Sequence, residues 1–152
     1  MARIVLLDAG PLGLVTHPRI EQNREAALWL RGLLSAGMPV LVPEISDYEV
    51  RRELLRAGKS RGLSRLDQLA EDLGYLPNTT EAMQLAASFW ANARKQGHPT
   101  ASDESLDADV ILAAQAATLD ENAEDGVVVA TTNPRHLSRF VDAKLWQGVV
   151  SS

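Results

Sequence analysis

Cysteine is absent from the 152 residues, which rules out disulfides, thiolate metal sites and a cysteine nucleophile. The absence fits a reducing, cytoplasmic setting. No uninterrupted apolar run approaches the ~20 residues needed to span a bilayer, so no membrane association is expected. The segment from Met1 to Asp8 is too short for a secretory signal and runs at once into a charge; it reads as a first strand. Net positive charge is lacking as well. The 15 Lys and Arg face 20 Asp and Glu, a balance of −5, where a general nucleic-acid binder is usually basic. The cations are nevertheless gathered. Arg51, Arg52, Arg56, Lys59, Arg61 and Arg65 follow one another with only Glu53 against them, while acids collect at Asp103, Glu104, Asp107 and Asp109 and again at Asp120, Glu121, Glu124 and Asp125.

What is present is an alternation of short apolar runs with helical periodicity. The length suits one domain over 1–152, large enough to bury a core without staples. Ile4 to Leu7, Pro39 to Val42 and Val127 to Ala130 are continuous apolar runs of the kind buried on both faces of a parallel sheet. Gly74 to Leu76 and Ala143 to Trp146 are weaker strand candidates, the latter at an edge. Helices are expected over Glu25–Ser35, from Pro43 to about Ala57 with Gly58 as the stop, over Ser64–Leu73, over Thr80–Lys95 and over Ala108–Leu119. Thr80–Lys95 carries the clearest apolar stripe: Ala82, Leu85, Ala86, Phe89, Trp90 and Ala93. Residues 98–106 read as a polar loop. The order implies a three-layer α/β/α fold around a parallel sheet of four to five strands.

In such sheets ligands bind beyond the carboxyl ends of the strands. Asp8 stands directly after the first strand, where a carboxylate serves either a site or an ordinary helix cap. Glu49 and Glu53 share one face of the helix after Pro43; Glu53 suits salt bridges to Arg52 and Arg56, and Glu44 suits the helix N-terminus. Asp109 opens an apolar helix, and Asp107 lies roughly 200° away around it, so only one of the two can face a shared point. Thr131, Thr132 and Asn133 follow the Val127 strand, in a segment that also fits a simple Asn-Pro turn. Neither the G-x-G-x-x-G fingerprint nor a P-loop occurs, and Gly10 stands where an aspartyl-phosphate enzyme wants its second Asp.

Taken together, four segments resemble the motifs of PIN domains. They are Asp8 after the first strand; Pro43-x-Ile-Ser-x-x-Glu49-Val; Asp109-Val-Ile-Leu-Ala-Ala; and Ala130-Thr-Thr-Asn-Pro-Arg-His-Leu137. The match spans nearly the whole chain, and the VapC-like toxins are family members of similar length. The resemblance implies a ribonuclease using Mg²⁺ or Mn²⁺, with Asp8, Glu49 and Asp109 as metal ligands. Two positions depart from the pattern. Ala9-Gly10 replaces the hydroxyl residue often found after the first Asp, and Asn133 takes the place of a fourth acid, with His136 three residues on. Asn133 is then expected to orient a metal-bound water, and a second metal is held weakly or not at all. Asp107, Thr131, Thr132 and His136 are candidate outer groups. Arg51, Arg52, Arg56 and Lys59 are candidate RNA-backbone contacts, with a solvated face or an acidic protein partner as the other reading. The resemblance also implies an RNA substrate, an antitoxin protein as partner and a homodimer; the sequence selects no interface for it, although exposed parts of Leu63–Leu73 or Trp90 could contribute. Two further readings stay open: a PIN-fold module that binds RNA or protein without cleaving, and a phosphatase or nucleotide hydrolase on a similar sheet.

Overall fold

A computed structural model describes residues 3–97 and 103–150. Five strands form one sheet: β1 (Ile4–Leu7), β2 (Val40–Pro43), β3 (Tyr75–Leu76), β4 (Val127–Thr131) and β5 (Ala143–Leu145). Their order is β3-β2-β1-β4-β5 and every pair is parallel. β1 lies at the centre, with Val5 beside Val40 on one side and Val128 on the other. Its residues Val5, Leu6 and Leu7 are wholly buried, which is why the run is apolar throughout instead of alternating.

The helices form two layers. Helices α1 (Ala9–Thr16), α2 (Ile20–Ser35), α3 (Glu44–Arg56) and α4 (Ser60–Leu73) cover one face, joining Leu12, Leu30, Val50 and Leu66 to Val5, Val42 and Val128. Helices α5 (Thr80–Lys95), α6 (Asp103–Asp120) and α7 (Pro134–Leu137) cover the other, with Leu112, Ala113 and Leu137 against Leu6 and Val129. Helices α1, α3 and α7 each begin directly after a strand, so their N-termini stand at the carboxyl edge of the sheet, and so does their partial positive charge.

The expected architecture is the observed one, and Ile4–Leu7 and Thr80–Lys95 keep their expected limits. Other boundaries move. The helix expected from Glu25 starts at Ile20, and that expected from Ser64 starts at Ser60. Gly10 and Pro11 sit in the first turn of α1, a helix the sequence reading did not place, where proline gives up no hydrogen bond. Pro43 ends β2 and precedes α3 instead of opening it. Of the stretch 98–106, residues 98–102 lie outside the described part, whereas α6 begins at Asp103; polar composition there conceals a helix start, which acids favour. β5 stops at Leu145, and Trp146 turns into a 3₁₀ segment that buries its ring edge-on against Trp29, 5.3 Å between centroids. Among the described residues, no helix is long and apolar enough to cross a membrane.

Candidate functional site

Asp8 leaves the central strand at the carboxyl edge, its backbone N–H donating to Ala130 O at 2.9 Å. Both of its carboxylate oxygens are engaged. Oδ1 accepts from the Ala9 N–H at 2.7 Å, capping α1, and Oδ2 accepts from Thr131 Oγ1 at 2.6 Å. Thr131 is buried at the end of β4, and its hydroxyl also accepts from the Asn133 N–H at 3.1 Å. One hydroxyl thus ties the two central strands together and fixes the first acid.

Glu49 comes from the second turn of α3. On that helix Ser46 and Val50 are buried, and Glu49 lies half-buried beside them. Asp109 comes from α6, whose Val110, Leu112, Ala113 and Ala114 are buried, and it too is half-buried. The position of α6 against α3 is set by a polar clamp. Gln115, only 2% exposed, accepts from the Ile45 N–H at 3.3 Å and donates to Leu76 O at 3.0 Å. The helices carrying the second and third acids are therefore pinned to each other and to β3.

The three carboxyls act on one another. Burial, followed by the charges of Asp8 and then Asp109, pushes Glu49 up to about 7, against a partial offset from Arg52. Burial and the Asp8 charge push Asp109 up to about 6. Asp8 is raised by burial, with its bonds to Thr131 and Ala9 working the other way. Three acids from distant parts of the chain thus share one field. Among the described residues, no three carboxylate or imidazole groups already stand at metal-coordinating distances. The chemistry of the donor set nonetheless suits a hard divalent cation: oxygen donors only, no thiolate, and a mutual repulsion that a cation relieves.

Beside the acids runs a cleft of about 650 Å³ lined by Ala9, Gly10, Glu49, Arg52, Arg56 and Lys59, and also by His17 and Arg19 from the α1–α2 loop. Sequence reasoning missed His17 and Arg19, since the loop has no periodicity to place them opposite α3. The cationic strip divides in this setting. Arg51 turns away to bridge α3 and α4, binding Asp47 at 3.0 Å and Asp67 at 2.6 Å. Arg56 is paired with Glu53 at 2.8 Å. Arg52 lies over the Tyr48 ring, 5.1 Å from its centroid, and its charge reaches Glu49. Lys59 is exposed, and Arg61 and Arg65 flank a separate depression with Pro18 and Ser64.

The outer candidates divide too. Asp107 is exposed on α6, as its 200° offset requires. Asn133 caps α7 through Oδ1, which accepts from the Arg135 N–H at 3.3 Å, so its carbonyl is spent locally. His136 has a buried Nδ1 without a hydrogen-bond partner among the described residues, and burial together with Arg139 and Arg135 lowers its pKa. Asn133 is linked to Asp8 only through its N–H on the Thr131 hydroxyl, and His136 has no hydrogen bond to any of the three acids among the described residues.

No protein-family model matches this sequence, and no curated protein matches it. Solved structures do. The chain aligns with a chain of VapBC2 from Rickettsia felis, bound to a DNA fragment from the promoter, at TM-score 0.70 and 14% identity over 94% of this chain and 98% of that one. The fold is PIN-like. FitAcB from Neisseria gonorrhoeae gives 0.68 at 20% identity over 95% and 99%, and VapBC-1 from nontypeable Haemophilus influenzae gives 0.69 at 16% over 95% and 98%. Within this PIN-like fold the coupled acids occupy the carboxyl edge of the sheet, beside the topological switch at β1 where such sheets bind ligands.

Proposed function

We propose that this chain is a single-domain, metal-dependent endoribonuclease that hydrolyses RNA phosphodiester bonds. The observation that carries the reading is the electrostatic coupling of Asp8, Glu49 and Asp109 at one edge of a PIN-like sheet. These three residues would hold Mg²⁺ or Mn²⁺, which supplies Lewis acidity at the scissile phosphate and lowers the pKa of an attacking water. The chain's own groups do the rest. Thr131 and the Ala9 N–H keep Asp8 in one rotamer. The Gln115 clamp keeps the helices of Glu49 and Asp109 in register. Arg52, Lys59 and Arg19 line the approach, where they hold backbone phosphates without reading bases. An in-line hydrolysis needs no covalent nucleophile, in keeping with the absence of cysteine.

The VapBC complexes with the same fold support reading the chain as the toxin member of a toxin–antitoxin pair with an antitoxin protein as its partner; its action in the cytoplasm as a homodimer follows from the PIN-domain resemblance alone. A second reading, a PIN-fold module that binds RNA or protein without cutting, draws support from Asn133, which replaces an acid and spends its carbonyl on a helix cap. Incubating single-stranded RNA with Mn²⁺ and either the parent or Asp8→Asn separates the two. Cleavage by the parent alone is expected for the nuclease; no cleavage by either protein supports the binding module.

A further inference from the structure

Gly10, two residues after Asp8, cannot carry a side chain as the molecule stands. A Cβ built on it would lie 2.6 Å from both Oγ1 and Cγ2 of Thr132, and 3.1 Å from its Cβ. Because both branches and the stem of Thr132 crowd the same point, rotation about χ1 does not clear it. The side chain of Thr132, from the turn after β4, is thus seated on the first turn of α1. That places it next to the residues that hold Asp8: Thr131 precedes it in the chain, and Ala9 precedes Gly10. Gly10 itself lines the cleft shared by Glu49, Arg52 and Lys59. Thr131 has spent its hydroxyl proton on Asp8. Thr132 is exposed, and its hydroxyl has no hydrogen-bond partner among the described residues. A neutral donor therefore stands free against the first turn of α1, one residue from the hydroxyl that holds Asp8, where it can meet an anion that the acids alone would repel.

We infer that Thr132 Oγ1 is a substrate-binding group of this site, donating a hydrogen bond to a non-bridging oxygen of the RNA phosphate, and that Gly10 is glycine to make room for it. The inference rests on the nuclease reading for the identity of the anion. Thr132→Val keeps the shape and removes the hydroxyl; hydrogen bonds to charged groups make a loss of kcat/KM of about tenfold or more the expected result. Thr132→Ser recovers most of that loss. Gly10→Ser alone collides with Thr132 and loses activity, whereas Gly10→Ser combined with Thr132→Ala supplies a hydroxyl from the opposite side of the same contact and exceeds either single variant. Thermal melts of each variant separate loss of the hydroxyl from loss of the fold.

A second measurement does not depend on turnover: anisotropy of a labelled 2′-O-methyl RNA oligonucleotide, checked intact on a gel, with Mn²⁺ present. Thr132→Val is expected to bind it about tenfold more weakly than the parent. Cleavage by the parent with Thr132→Val unchanged in both assays overturns the role of Thr132 and leaves the nuclease intact. No cleavage by the parent overturns the nuclease, and the binding comparison still decides the hydroxyl: equal affinities sink it.

Discussion

Replacing Glu49 with glutamine should stabilise the metal-free protein, and only at neutral to alkaline pH. The Glu49 carboxyl rises from 4.5 to about 7 in the folded chain, through burial first and then the charges of Asp8 and Asp109. A native carboxyl that holds its proton more tightly than the unfolded chain does costs stability as pH rises between those values, and the full cost is present above the folded pKa. At 1.36 kcal/mol per pKa unit the shift corresponds to about 3 kcal/mol; the group is half-exposed, and solvent screening reduces this to about 1–2 kcal/mol. For a domain of this size about 1 kcal/mol moves Tm by roughly 3 °C. Glu49→Gln in EDTA is thus expected to melt about 3–6 °C above the parent at pH 8, with the difference vanishing near pH 4.5. Mn²⁺ at ten times its Kd should raise the parent's Tm by a similar amount through mass action, and raise that of Glu49→Gln far less. Differential scanning calorimetry across pH 4.5–8, with EDTA and with Mn²⁺, reads all of this. A variant no more stable than the parent at pH 8, or one whose gain is the same at every pH, would refute the claim that the three acids share a strained field.

Further outcomes follow from the same contacts. Thr131→Val removes the bond to Asp8 and is expected to weaken Mn²⁺ affinity by about 10- to 100-fold, the usual effect of losing a group that orients a ligand; isothermal titration measures it. Arg52→Ala or Lys59→Ala should lower the slope of log binding constant against log salt by about 0.7 each on single-stranded RNA, while Arg51→Ala, already committed to Asp47 and Asp67, leaves that slope alone. Gln115→Leu strands the Ile45 N–H and the Leu76 carbonyl and is expected to cost about 2–3 kcal/mol in urea unfolding, with a drop in cleavage rate at saturating RNA as α3 and α6 lose register.

The sheet was legible from sequence because its central strands are buried on both faces and so read as unbroken apolar runs. Asp109 stood out because it leads into an apolar helix, whereas Glu49, on a charge-rich helix that also buries Asp47, was singled out only by the resemblance of its segment to a PIN motif. Contacts between segments far apart in the chain were not legible. The turning of Arg51 toward Asp67 depends on how α4 folds back on α3, and the seating of Thr132 on Gly10 depends on the register of β4 beside β1. His17 and Arg19 reach the cleft through a loop whose path no periodicity encodes. At Asn133 a motif position and local chemistry meet: the residue after a strand and before a proline caps α7, as such residues ordinarily do.

The central place of β1 carries a consequence for how the molecule is made. Its two sheet neighbours are unequal in time: β2 leaves the ribosome soon after it, but β4 follows only when α6 has been translated. Until then Asp8 lacks the hydroxyl that holds it, and one side of its strand has nothing to pair with. A nascent chain therefore carries Asp8 through the 123 positions that separate it from Thr131 before their bond can form. On the nuclease proposal, the set of acids is held in place only once β4 has emerged and paired with β1.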